Sequence, residues 1–252
     1  MKRYRAHIKE IKKLEQRLTN RNKKRIRKLF IDFLEKIKKD NGEKFSEEAK
    51  VVVKIDYDWL EKKTKSILEA MYMYSFDETI DSFKNIYKKK LTEKVIKGIR
   101  DKVLEAWNKK HAAAKAKWIT ETTRKQLNSI ITEGQKKGLA HKDMVEEIIN
   151  SVNNMSEYRA STIARTETAT SINTTSFESA KKIGMEEKCW VHVGGKKTYR
   201  ENHKALSGKW IDIDDYYNLG NGIKALYPHQ DGLPAGEVVR CSCLIIFRIK
   251  VD

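Results

Sequence analysis

The chain has 252 residues, 35% of them charged, and a formal net charge of +18. A balance that basic favours a polyanionic partner, nucleic acid first, although a lysine-rich surface is also what an ordinary solvated face looks like. No apolar run reaches the roughly 18 residues of a transmembrane helix, and Met1-Lys2-Arg3-Tyr4-Arg5 is not followed by the apolar stretch of a secretory signal, so neither is expected. The three cysteines, Cys189, Cys241 and Cys243, are odd in number and two lie one residue apart. That is no disulfide framework, and the expectation is a protein made in a reducing cytoplasm.

Both prolines, Pro228 and Pro234, and eight of the twelve glycines lie at or after Gly184. The first 183 residues are therefore free to form long helices. Tyr4, Ile8, Ile11, Leu14 and Leu18, then Ile26, Leu29, Phe30, Phe33 and Ile37, recur every three or four residues. That spacing predicts one amphipathic helix or a pair, stopped at Asn41-Gly42. Ser46 reads as an N-cap before Glu47 and Glu48. Val51-Val52-Val53 is ambiguous, since three β-branched residues could be a short strand. Helical spacing resumes at Leu60, Ile67, Leu68 and Met71, then Ile80, Phe83 and Ile86, and again from Leu91 through Trp107. A helix is predicted from His111 to Gly134 or Gly138, a short one around Met144–Val152, and a last long one from Ser156 to Ile183 with Gly184 as its C-cap.

After Gly184 the pattern changes. Strands are predicted at Cys189–Val193, Lys209–Ile213 and Val238–Phe247, separated by glycine-containing loops. The fold class is α+β: a mostly α-helical N-terminal two thirds and a small α+β C-terminal domain. A soft boundary is placed at residue 110.

Residues 1–28 hold 13 Lys or Arg against Glu10 and Glu15, a net of +11, whereas residues 187–252 have a net of only +2. Arg21, Lys23, Lys24, Arg25, Arg27 and Lys28 are the densest group and the candidate DNA-binding residues. Phosphate contact of this kind displaces counterions with little base preference. A solvated helix face and a dock for an acidic protein are the competing readings.

Three pieces of the second half carry a resemblance. The first is Ala164-Arg165-Thr166-Glu167-Thr168, with Asn173 beyond it. The second is Trp190, then Arg200-Glu201-Asn202-His203, Leu206 and Gly208. The third is Tyr227-Pro228, then Arg240-Cys241-Ser242-Cys243. In order and spacing they resemble the phage Mu protein F-like head-morphogenesis family over about residues 130–247. The resemblance implies a head-morphogenesis domain at 111–252, with helices at 111–183 and strands and loops at 185–252, behind a basic helical arm and body at 1–110. It implies a minor head protein in the virion, inside the head near the portal, made in the host cytoplasm. Its partners would be the portal protein, other head proteins and non-specific double-stranded DNA, with no membrane. No enzymatic activity and no cofactor are expected. The family pattern usually has an Asp a few residues before the Arg-x-x-His. This chain has Gly194-Gly195-Lys196-Lys197-Thr198-Tyr199 there. Some relatives carry toxin domains after this module, and with the sequence ending at Asp252 none is expected here.

Read physically, Arg165 lies on a helical stripe with Ala169, Ile172, Ser176, Ala180 and Ile183. It should face the core and be paired by a carboxylate or by carbonyls where helix meets sheet. Glu167 lies on another face and cannot pair with it within the helix. Arg200 and His203 share a helical turn. Cys241 and Cys243 would fall on one side of a strand, where His203, Cys189 or His229 could complete a zinc site. One residue between the thiols is a poor match to the usual zinc spacing, so buried free thiols beside a hydrogen-bonded histidine are expected, with no metal. Trp190, Trp210, Tyr216, Tyr217 and Tyr227 read as a small aromatic core. The alternatives to the head-protein reading are a metal-dependent or transferase-like enzyme in the C-terminal domain, and a generic nucleic-acid-binding protein.

Overall fold

The structure, a computed structural model, describes residues 4–41, 53–88, 91–193 and 200–250. The predicted cap at Ser46, Val51-Val52 and the stretch 194–199 lie outside the described residues. Helix α1 spans Arg5–Asn41, α2 Tyr57–Tyr87, α3 Glu93–Arg100, α4 Lys109–Lys136 and α5 His141–Lys182. A π-helical segment, Asp101–Asn108, joins α3 to α4, so the backbone stays helical across residue 110. Then come β1 (Glu187–Val191), α6 (Glu201–Leu206), β2 (Trp210–Asp212), β3 (Tyr217–Gly220), β4 (Ile223–Ala225), α7 (Ala235–Val238) and β5 (Leu244–Arg248). The chain is thus mostly helical with a few antiparallel strands near its C-terminus, the expected α+β class.

Three differences from the sequence reading have physical causes. The predicted short and long helices of residues 144–183 are one 42-residue helix, α5. The polar stretch Asn153–Asn154 does not break it, because solvent-facing polar residues are compatible with a helix when its buried face continues through Val152, Ala160 and Ile163. The third strand starts at Leu244, not Val238, because Ala235–Val238 closes a helical turn and Arg240 takes a left-handed backbone at φ 59°. The β3–β4 hairpin was not foreseen. Its turn runs through Gly220, Asn221 and Gly222, all at positive φ. The C-cap of α5 falls where expected: Gly184 sits at φ 72°, and Met185 N–H reaches back to the Ala180 carbonyl at 3.0 Å.

By packing, the chain forms two compact units, each built from segments on both sides of residue 110. One takes residues 23–69 and 110–163; its core joins Leu29, Phe33 and Ile37 of α1 to Leu60, Leu127, Met144, Ile148 and Val152. The other takes residues 1–22, 70–109 and 164–252 and contains all the strands. Its three-stranded antiparallel sheet has the order β2-β1-β5. Successive side chains of a strand face opposite ways. Cys189, Val191, Leu244 and Ile246 therefore pack on Tyr4 and on Ile11, Leu14 and Leu18 of α1, whereas Trp190, Ile245 and Phe247 join Phe83, Phe177, Tyr217 and Tyr227. A strand covered on both faces explains the unbroken apolar run Leu244-Ile245-Ile246-Phe247.

Candidate functional site

The motif residues of the second unit converge where α5, α6 and the start of β5 meet. Trp190 is fully buried, and its ring stands edge-on to His203 (centroids 5.1 Å apart) and to Tyr217 (5.4 Å). Gly208, at φ 86°, takes a left-handed conformation that favours glycine, and donates its N–H to the Trp190 carbonyl at 2.9 Å. Asn173 on α5 donates to the Cys243 carbonyl at 3.2 Å, pinning helix to strand. Arg200 does not cap α6 with its side chain. Its guanidinium donates instead to the carbonyls of Gly236 and of Val239, the latter at 2.9 Å, and so holds the loop that leads to Cys241.

Arg165 is half-buried at the junction of α5 and that loop, where a core-facing arginine paired by a carboxylate or carbonyls was expected. Its guanidinium donates to the Ser242 hydroxyl, and it lies near the Glu15 carboxyl of α1. Glu15 is a neighbour the sequence offered no sign of, since it is 150 positions away in the chain. Burial raises the Glu15 pKa, while His229 and Arg165 pull it down. Glu167 is buried and accepts a 2.6 Å hydrogen bond from Tyr72, whose own phenol is held protonated by burial and by that carboxylate. Arg165→Ala is expected to cost about 1.5–3 kcal/mol, the loss of a charge-assisted hydrogen bond at a partly buried site. Urea unfolding at neutral pH measures it; a change under about 0.5 kcal/mol would mean the guanidinium is only a surface group.

The closest chemistry surrounds His203. Its Nε2 lies 2.7 Å from the Glu237 Oε2, and its Nδ1 faces two sulfurs, Cys241 at 3.4 Å and Cys243 at 3.6 Å. A carboxylate only accepts, so Nε2 carries the proton and a neutral ring turns the Nδ1 lone pair to the thiols. Asn202 braces the arrangement by donating to Glu237 at 3.2 Å and to the Leu219 carbonyl at 2.9 Å. The Cys243 N–H points at the Cys241 sulfur (3.4 Å), and His192 Nδ1 lies 3.6 Å from Cys243. Of the two thiols Cys241 ionises first, because Cys243 donates to it and His203 and His229 face it; Cys243, as donor, holds its proton. Cys189, considered with them from sequence, lies on the opposite face of β1 in the α1-facing core, where burial pushes its thiol up to about 11. The expectation that Cys241 and Cys243 share a side of a strand is corrected: both precede β5, and a non-strand turn converges them.

The basic group sits on α1, which is no detached arm. Leu18, Asn22 and Ile26 are buried between the cations. Arg21 lies 3.5 Å over the Tyr74 ring. Lys23 and Arg27 both pair with Glu157, Lys28 pairs with Asp32 at 3.4 Å, Lys24 is exposed and Arg25 half-buried. No helix among the described residues is long and apolar enough to cross a membrane.

Residues 125–246 match the family described as phage Mu protein F like protein. The chain is also 32% identical over 134 residues to "NAD(+)--arginine ADP-ribosyltransferase EFV" of Enterococcus faecalis (strain ATCC 700802 / V583). That alignment takes in 52% of this chain but only 26% of the relative, so the chain spans about a quarter of the protein it resembles there. No solved structure matches.

Proposed function

We propose, from the premise that the chain is phage Mu protein F-like over residues 125–246, that it is a bacteriophage head protein acting in head morphogenesis beside the portal, without an enzymatic step of its own. The family match carries this reading and supports a phage head protein in general. The finer assignment, to a minor component that contacts the portal and packaged DNA, draws on the same family and on the cations of α1. Of these, Arg21, Lys24, Arg27 and Lys28 remain exposed to solvent. Non-specific phosphate contact needs no more than such a row.

The test pairs two measurements on the full chain, coexpressed with the portal and head proteins of its own genome. Wild type is expected to copurify with heads. Removing residues 1–28 would also remove Leu14, Leu18 and Ile26 from the cores, so the DNA arm of the test uses Lys24→Glu/Lys28→Glu instead. That pair is expected to flatten the plot of log K against log salt by about 2, near 0.9 per lost phosphate contact, without altering incorporation into heads. Chain absent from heads overturns the morphogenesis role, and an unchanged salt slope overturns DNA contact at these residues. The name of the Enterococcus relative favours a second reading, NAD-dependent ADP-ribosyl transfer to arginine. Transfer of labelled ADP-ribose from NAD to an arginine-rich acceptor by this chain would replace the first reading with that one.

A further inference from the structure

The geometry points to a structural zinc ion held by His203 Nδ1, Cys241 Sγ and Cys243 Sγ, with His229, buried beside Cys241 but outside that close group, moving in as the fourth ligand. The three core atoms lie within 4.8 Å of one another, and their residues are 2%, 4% and 3% exposed. Zinc bonds of about 2.3 Å to sulfur and about 2.0–2.1 Å to imidazole nitrogen give a tetrahedron with nitrogen–sulfur edges of about 3.6 Å. The observed edges from His203 Nδ1 are 3.4 and 3.6 Å. Thiols are weak hydrogen-bond partners, so a chain from Cys243 to Cys241 and on to Nδ1 holds the cluster only loosely. A cation satisfies both sulfurs and the nitrogen together.

The surroundings are those of a ligand set. Glu237 takes the His203 Nε2 proton at 2.7 Å, which fixes the tautomer and strengthens Nδ1 as a donor to metal. Asn202 in turn fixes Glu237. The Cys243 N–H aimed at the Cys241 sulfur favours the thiolate form a metal requires. His229 is 2% exposed, with neither ring nitrogen in a hydrogen bond among the described residues, and it faces Cys241. Two buried, unpartnered ring nitrogens are costly unless one binds something. His229 also holds a positive φ of 64°, rare for a residue with a side chain. His192 Nδ1 lies 3.6 Å from Cys243, but the residue is only half-buried, which makes it the weaker fourth ligand. Binding releases the two thiol protons, so Zn²⁺ and two thiolates leave a neutral cluster that can stay buried. All ligands come from protein, as in a closed structural site, and the ion would lock α6 to the turns before and after α7. One residue between two thiols is a poor match to the usual zinc spacing. That spacing disfavours a knuckle in which both thiols lie on one tight turn, but here the backbone kinks at Arg240 and the other ligands come from separate elements.

The inference does not depend on the head role. The full chain, purified without chelator and dialysed against Zn²⁺ and then buffer, is expected to retain about one zinc per chain. Loaded instead with Co²⁺, it should show the sulfur-to-cobalt charge-transfer band and the intense visible bands of a four-coordinate ion. Cys241→Ser and Cys243→Ser should each abolish stoichiometric binding. Should either fail to fold, the cobalt spectrum of the unaltered chain still decides. Glu237→Gln keeps every ligand and is expected to weaken zinc about 10–100-fold. Loss of affinity in His229→Ala but not His192→Ala supports the fourth ligand, and the reverse overturns that assignment. Wild-type protein that retains well under a tenth of an equivalent of zinc, or Co²⁺ spectra without a sulfur charge-transfer band, overturns the site.

Discussion

Trp190→Ala is expected to lower the unfolding free energy by about 3–5 kcal/mol, the range for truncating a buried large aromatic. Trp190 is fully buried and contacts both His203 and Tyr217 edge-on. Its backbone N–H donates to the hydroxyl oxygen of the same Tyr217 at 3.0 Å, and that hydroxyl donates in turn to the Lys188 carbonyl at 2.9 Å. Little can collapse into the gap, because sheet, α6 and the β3–β4 hairpin each fix one wall. Trp190→Phe keeps a ring there and should cost well under half as much. Urea unfolding followed by tyrosine fluorescence compares the two. A loss below about 1 kcal/mol for Trp190→Ala would mean that the core re-forms around the missing indole.

Lys188→Met is expected to cost about 2–4 kcal/mol and to remove a pH dependence. Lys188 is fully buried in β1, on the Trp190 face of the sheet. Its Nζ donates to the carbonyls of Ile213 (2.6 Å) and Asp215 (2.7 Å) and lies 5.2 Å from the Phe177 ring centroid. Methionine fills similar volume but leaves two carbonyls unpaired. Burial lowers the Lys188 pKa to about 8, against an ordinary 10.5, with nearby aspartates opposing the shift. The folded state therefore binds that proton more weakly than the unfolded state does. Below about pH 8 both states are protonated and the folded one bears the full desolvation penalty. As pH rises from 8 towards 10.5 the penalty is relieved, and stability increases by up to about 1.4 kcal/mol per unit. Above pH 9 Cys189, whose thiol is pushed up to about 11, contributes in the opposite direction. Cys241, whose thiol is lowered, adds a slope of the same sign below pH 9, so the difference between wild type and Lys188→Met is what isolates Lys188 across the whole range. A difference that is flat from pH 7 to 10 would show that Lys188 keeps an ordinary affinity for its proton.

Sequence periodicity determined the helical body, because amphipathic spacing and the absence of proline before Pro228 act locally, whatever else the chain does. The same local rules located β1 and β2 and the Gly184 cap. Spacing and residue type also singled out His203, Cys241 and Cys243 as one neighbourhood and put Arg165 where helix meets sheet, whereas Asn173 came only with the family resemblance. The structure brings each of these to that junction. Local rules failed at Val238 to Cys243, which has strand-forming residues, yet takes a helical turn and a left-handed Arg240 while Arg200 holds the Gly236 and Val239 carbonyls. Tertiary structure alone decided the partners that carry the chemistry. Glu237 reaches His203 across 34 positions, Glu15 approaches Arg165 across 150, and Tyr72 reaches Glu167 across 95. Each is an ordinary charged or polar residue in sequence and has no periodic signature. Lys188 reads there as one more surface lysine on a basic chain; only the register of β1 between β2 and β5 turns it inward, and only the 213–215 loop supplies the carbonyls that let it stay. Composition and period report what a residue contributes to its own element, whereas pairing across the fold depends on where distant elements come to rest.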